Sequence, residues 1–258
     1  MASAHGTAPD LTRPRPGSRA RDWAEIQERT LVPLYEAVHE RLAVGPATSL
    51  LGLGCRSGLA LLLAAARGAE VAGLEPDPQL RELARARRLT VAAGSLPRTA
   101  HSVVTVFEPL RLGADPHRTI REAARLTLPG GVVVLAAPGP AAACESTAVL
   151  EVARRCAGPR PAPAPLAGAG ELGSLGELAA GVGLRLVGHG QAACPFGYAD
   201  LDSAVRGLLA TGWFDAAVAY AGEVPVAKEL VEALHPFTRE DGTVRMATEF
   251  QYLLAARG

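Results

Sequence analysis

The chain has 258 residues, 48% of them apolar and 4% aromatic, with 26 basic residues balancing 26 acidic ones. That apolar content is ample for a core and excludes bulk disorder, and a chain of this length most simply builds one elaborated domain. Zero net charge supplies no global field toward phosphate or anionic lipid, and so few rings make no stacking platform, so neither nucleic acid nor membrane is an expected partner.

Residues 1–18 are rich in Pro, Arg and Ala without periodicity, and read as a frayed arm ahead of one domain spanning 19–258. From Arg21 to Ala43, Trp23, Ile26, Leu31, Leu34, Val38 and Leu42 mark one amphipathic face, with Pro33 dividing two helices. A repeating pattern follows. Thr48–Leu53 is a strand ending in glycines, Leu59–Ala66 a helix, Glu70–Leu74 a second strand and Pro78–Arg87 a second helix. Leu89–Ala92 and Ser102–Phe107 read as further strands, Pro116–Leu126 as a helix behind an Asp115 N-cap, and Gly131–Ala137 (GVVVLAA) as the strongest strand. Strands apolar on both faces and separated by helices predict a doubly wound α/β fold with a mainly parallel sheet.

A helix over Cys144–Cys156 leads into the Pro/Ala-rich stretch 158–170, expected as an exposed connection. Then come a short helix near Leu175–Ala180, a strand at Leu184–His189, a helix to Ala210 capped by Asp200 or Asp202, a helix at Val226–Leu234 and a last strand over Thr243–Ala255. Residues 198–236 therefore form a helical insertion between the last two strands, able to fold as a lid over the strand carboxyl ends.

Cys55, Cys144, Cys156 and Cys194 are scattered and have no metal-ligand spacing, so neither a metal site nor a disulfide framework is expected. No apolar signal region follows the basic N-terminus, and the longest apolar run, Leu59–Ala66, falls far short of the ~20 residues of a membrane span. A cytoplasmic location is the expectation.

The segment carrying most chemistry is Leu50–Gly58, LLGLGCRSG, in which a strand delivers the chain to closely spaced glycines at the start of a helix. Glycines allow a sharp turn and a close approach of backbone to ligand, while the helix start offers free amides. About twenty residues on, Glu75 ends the next strand in VAGLEPDP, where a carboxylate can accept both ribose hydroxyls of an adenosine-containing ligand.

These two segments resemble the first and second motifs of the class I S-adenosylmethionine-dependent methyltransferases, especially the small-molecule type 11 group. SVVTVFEPLR resembles the family's fourth strand, and REAARLTLPGGVVVLAAPGP its following helix, turn and fifth strand. CPFGYADLDSAVRGLL and FQYLLAAR resemble the lid and last strand, so the likeness covers residues 21–256. It implies a seven-stranded Rossmann-like sheet with N-terminal helices, and S-adenosylmethionine held by Gly52, Gly54, Arg56, Gly58, Glu75 and Ser95.

The chain also departs from the family pattern. The first-motif acid, which helps hold the methionine amino group, falls at Gly52, and the middle glycine falls at Arg56. Arg56 either pairs with the methionine carboxylate or fills the methionine channel. Ser95 stands near the place of the adenine-binding acid, and His101 or Ser102 where an acid commonly opens the fourth strand. Each lost anchor is worth ~1–3 kcal/mol, which leaves Glu75 as the one clear cofactor acid.

Glu108, just past the fourth strand in FEP, is the candidate polar or basic catalytic group, with a solvated loop acid as the competing reading. His235, before Pro236, is a second candidate. His39 is expected on a helix surface, His117 at a helix start and His189 near a strand end. Trp23, Tyr35, Tyr198, Trp213 and Phe214 are candidates to line an apolar substrate pocket or, alternatively, a homodimer interface. Methyl transfer to a small molecule is the favoured function. The alternative is a methyltransferase-like protein that has lost this activity and binds a partner, regulates, or uses its pocket for other chemistry. A dinucleotide oxidoreductase is disfavoured by the closing strand and lid.

Overall fold

The computed structural model describes residues 18–94, 100–107, 116–158 and 172–258. All but the last residue of the expected N-terminal arm, the Asp115 cap, most of the Pro/Ala connection, Ser95 and Glu108 lie outside them.

Helix α1 (Ser18–Asp22) continues through a π turn (Trp23–Gln27) and a 3-10 turn (Glu28–Leu31) into α2 (Val32–Arg41). Pro33 sits in the first turn of α2, where its missing N–H removes no helical bond. The alternating region runs β1 (Ser49–Leu53), α3 (Leu59–Ala66), β2 (Glu70–Leu74), α4 (Pro78–Ala86), β3 (Val91–Ala92), β4 (His101–Val106), α5 (Pro116–Leu126) and β5 (Thr127–Pro138). After α6 (Ser146–Cys156) and α7 (Leu172–Ala180) come β6 (Leu184–Ala193), β7 (Phe196–Tyr198), α8 (Leu201–Ala210), α9 (Asp215–Ala221), α10 (Glu223–Leu234), β8 (Val244–Met246) and β9 (Glu249–Arg257).

Seven strands form one sheet in the order β3-β2-β1-β4-β5-β9-β6. Strands β1 to β5 pair in parallel, and β9 runs antiparallel to both β5 and β6. The chain begins at the centre, winds out to β3 and then restarts at β4. This reversal opens a crevice at the carboxyl ends of β1 and β4, where open α/β sheets take their ligands.

Both faces are buried, as the unbroken apolar runs require. Leu50, Val103, Val134 and Leu254 face a core shared with the N-terminal helices and the insertion, and Leu51, Val104, Leu135 and Leu253 face a second core under α5 and α7. The insertion is longer than expected, spanning 194–248, and is not wholly helical. The predicted last strand divides: Val244–Met246 pairs with Phe196–Tyr198 in a separate antiparallel ribbon, and only Glu249–Arg257 joins the main sheet. Among the described residues no helix is long and apolar enough to cross a membrane.

Candidate active site

The turn after β1 is built by left-handed backbone at three places, Gly54 (φ 64°), Arg56 (φ 54°) and Gly58 (φ 83°). Gly54 and Cys55 donate their N–H groups to the carbonyl of Leu74, tying the turn to the end of β2. Gly58 is required for packing as well, because a Cβ there would lie 2.4 Å from Leu89 Cδ1.

Glu75 closes β2 with its side chain buried. Its Oε2 accepts from the Arg56 N–H at 2.8 Å, and its Oε1 from the Asp77 N–H at 2.9 Å. Burial pushes this carboxyl above its usual range, opposed by the two N–H bonds and the Arg56 charge. Asp77 in turn caps α4, accepting from the N–H groups of Gln79 and Leu80. Glycine turn, acid and helix cap thus form one hydrogen-bonded unit.

A second buried acid sits on the other side of the turn. Glu28, only 1% exposed, accepts from the Ser57 hydroxyl, from Arg87 Nη1 at 3.2 Å and from the Leu59 N–H at 3.5 Å. Its carboxylate therefore lies at the N-terminus of α3, a position that favours an anion. Burial raises its pKa, and the Ser57 and Arg87 contacts hold it down. The linear pattern gave no sign of this residue: Glu25, Glu36 and Glu40, in the same segment, are all exposed.

The cavity over the crevice is lined by Trp23, Tyr35, Gly52, Leu53, Gly54, Cys55, Arg56, Ala60, Leu61, Thr105 and Phe107. Its free volume is only about 20 Å³, room for roughly one water. Arg56 is one of the lining side chains. Its guanidinium carbon lies 4.5 Å from the Trp23 ring centroid, and its Nη2 donates to the Thr211 carbonyl at 3.4 Å. Tyr35 and Phe107 pack against each other with centroids 4.8 Å apart. At Gly52 a Cβ would lie 3.0 Å from Cys55 Cβ and 3.2 Å from Leu61 Cδ2. The space of the family's first-motif acid is taken up by apolar side chains. Burial, with Glu75 and Glu28 nearby, pushes the Cys55 thiol up to about 12, which keeps it protonated at neutral pH.

Trp23 and Tyr35 reach this cavity, but three of the aromatic candidates do not line it. Phe214 is fully buried in the core, Tyr198 donates its hydroxyl to Gln27 Oε1 at 2.9 Å, and Trp213 packs half-buried against the same core. Tyr198 thereby ties the insertion to the N-terminal segment instead. His235 sits exposed on the turn after α10, outside the cavity lining. His39, expected on a surface, is fully buried, and His189 lies within β6 rather than at its end. His101 and Ser102 open β4 at the amino edge of the sheet, where Ser102 exchanges hydrogen bonds with Ser49. They are remote from the carboxyl edge.

Residues 21–164 match the model of a family described as "Methyltransferase domain". The chain belongs to this methyltransferase-domain family. Among solved structures it is similar to a SAM-dependent methyltransferase from Thiobacillus denitrificans in complex with S-adenosyl-L-homocysteine, with 18% identity, TM-score 0.59, and coverage of 95% of this chain and 100% of that one. A SAM-dependent methyltransferase from Geobacter sulfurreducens, also with S-adenosyl-L-homocysteine, has 20% identity, TM-score 0.56, and coverage of 96% and 100%. The cyclase SpnF has 17% identity, TM-score 0.55, and coverage of 87% and 80%. These likenesses show the class I methyltransferase fold. No curated protein matches the chain.

Proposed function

We propose that this protein binds S-adenosylmethionine at the carboxyl edge of β1 and β2 and transfers its methyl group to a small molecule. The observation that carries the reading is Glu75, held at the end of β2 beside a left-handed glycine turn by two backbone N–H groups. This preorganised carboxylate, buried beside the cavity rather than among its lining residues, is the acceptor assigned here to the two ribose hydroxyls. The amino-acid end does not fit the described conformation, because Cys55 and Leu61 crowd Gly52 and the Arg56 side chain lines the same narrow cavity. When bound, the cofactor supplies a methyl group on a positively charged sulfur.

In this reading Glu75 fixes the ribose, the turn from Gly54 to Gly58 lets the backbone approach the ligand, and Trp23, Tyr35 and Phe107 wall the cavity against water. Glu108, which directly follows Phe107 in the chain, is the proposed polar group for the substrate, and Ser95 the proposed contact near the adenine. Four free cysteines are in keeping with a cytoplasmic location. One copy of the chain assembles the cavity from its own segments, so the reading needs no homodimer.

The second reading, a family member that has lost methyl transfer, is favoured by one feature: the amino-acid end carries Arg56 and a glycine backed by apolar groups in place of an acid. A solved neighbour described as a cyclase supports a different use of the same fold. Calorimetry with S-adenosylhomocysteine tests the first reading. Binding that weakens by about tenfold or more in Glu75→Ala is the expected outcome. No binding at millimolar ligand leaves the second reading in place.

A further inference from the structure

Three segments distant in sequence meet on one side chain. Arg56 leaves the turn after β1 at φ 54°, a left-handed conformation that glycine adopts freely and an arginine rarely does. Its guanidinium lies on the ring of Trp23, in the N-terminal π turn, and donates to the carbonyl of Thr211, in the turn after α8. Its own N–H is fixed to Glu75. An unusual backbone conformation thus holds a long cation across the cavity, touching both halves of the roof, with space for roughly one water left beside it.

We propose that Arg56 is a bolt that pins the insertion to the N-terminal segment across the cavity and shuts the end of the cavity next to Gly52. The proposal rests on the reading of this cavity as a cofactor site. A cation over an indole is a modest attraction, and a carbonyl contact of 3.4 Å lies at the long limit of hydrogen bonding. An amino-acid arm entering the cavity must displace the guanidinium, whereas the ribose and base of a nucleoside held at Glu75, which is not among the lining residues, stay outside it. Arg56 thereby sets which adenosine compounds the closed protein admits.

The full chain tests this, as wild type, Arg56→Gly and Arg56→Gln. Glycine relieves the left-handed backbone and so keeps the fold, and glutamine keeps much of the stem without the charge. The ligands are S-adenosylhomocysteine and 5′-methylthioadenosine, which lacks the amino-acid arm. Arg56→Gly is expected to bind S-adenosylhomocysteine about tenfold tighter than wild type, with 5′-methylthioadenosine changed by less than about twofold. Amide exchange over 208–214 should quicken in both variants. The chain has only two tryptophans, Trp23 under the guanidinium and Trp213, whose backbone N–H donates to Thr211 Oγ1, so acrylamide quenching should rise as well. Weaker or unchanged binding of S-adenosylhomocysteine by Arg56→Gly overturns the bolt. If neither compound binds any of the three proteins, the cofactor reading fails, and exchange and quenching then decide the bolt: faster exchange supports it, unchanged exchange overturns it.

Discussion

His39 shows how a residue's surroundings, not its type, set its behaviour. It lies on α2 fully buried, and neither ring nitrogen has a hydrogen-bond partner among the described residues. Burial, aided by the Arg67 charge, lowers its pKa to about 4 from 6.5. The unfolded chain therefore binds the proton more tightly than the folded one. The stability contributed by neutral His39 is complete above pH 6.5 and is lost as pH falls toward 4, at ~1.4 kcal/mol per pH unit. Glu28 and Glu75 act in the opposite sense, because their raised values mean that stability is lost as pH rises through them. Comparing wild type with His39→Leu at each pH cancels those acids. Urea unfolding should find the variant more stable at pH 7.5, since two unsatisfied nitrogens are gone, and the gap should widen by about 2 kcal/mol by pH 5. A constant gap would mean that His39 does not stay neutral. Of the candidate site, the joining of Glu75 to the glycine turn was legible from sequence, because strand, turn and acid keep a fixed spacing. Glu28 was not, since its burial is decided by Ser57 and Arg87, which the chain delivers only after folding.

The elements that sequence gives best are those whose pattern is local. Leu59–Ala66, Glu70–Leu74 and Pro116–Leu126 occur with the expected ends, since each is an apolar run or amphipathic stretch bounded by its own breakers. The break between Met246 and Glu249 was illegible, because the alternation of buried and outward positions continues across it. The corner is made by distant partners: Cys194 donates its N–H to the Thr248 carbonyl, and Glu145 accepts from the Ala247 N–H. The π turn at Trp23–Gln27 is likewise settled by what packs on it. Where a local device is present, its effect can be forecast. Asp77 caps α4 through two N–H bonds while its own N–H holds Glu75. Asp77→Ala should cost about 1 kcal/mol in thermal unfolding, and Asp77→Asn much less, because both residue types cap well. Both variants keep the N–H at 77, so ligand affinity should fall little in either. A large loss confined to Asp77→Ala would show that the cap also sets the place of Glu75.

On the scale of the molecule, the roof over the sheet edge is one body made of two chain segments. Arg206 of α8 reaches Asp22 beside the π turn, and the Tyr198 hydroxyl meets Gln27. Between these contacts Gly207 lets α8 approach closely: a Cβ there would lie 3.0 Å from Ile26 Cγ2 and from Tyr198 Cε1, and 3.1 Å from Gln27 Oε1. A glycine inside a helix is unfavourable by itself, and on an open face Gly207→Ala would gain about 1 kcal/mol. Here the neighbours from the N-terminal segment oppose that gain, so the sign of the change reports the contact. Gly207→Ala should be neutral or destabilising, and Gly207→Val should lose roughly 1–3 kcal/mol by overpacking. Because the strain falls on the joint between α8 and the π turn, faster amide exchange should be confined to residues 18–41 and 194–248, with β1, β4 and β5 as protected as in wild type. A more stable Gly207→Ala would show that the insertion stands clear of the N-terminal segment, and exchange spreading into the central strands would show that roof and sheet unfold together.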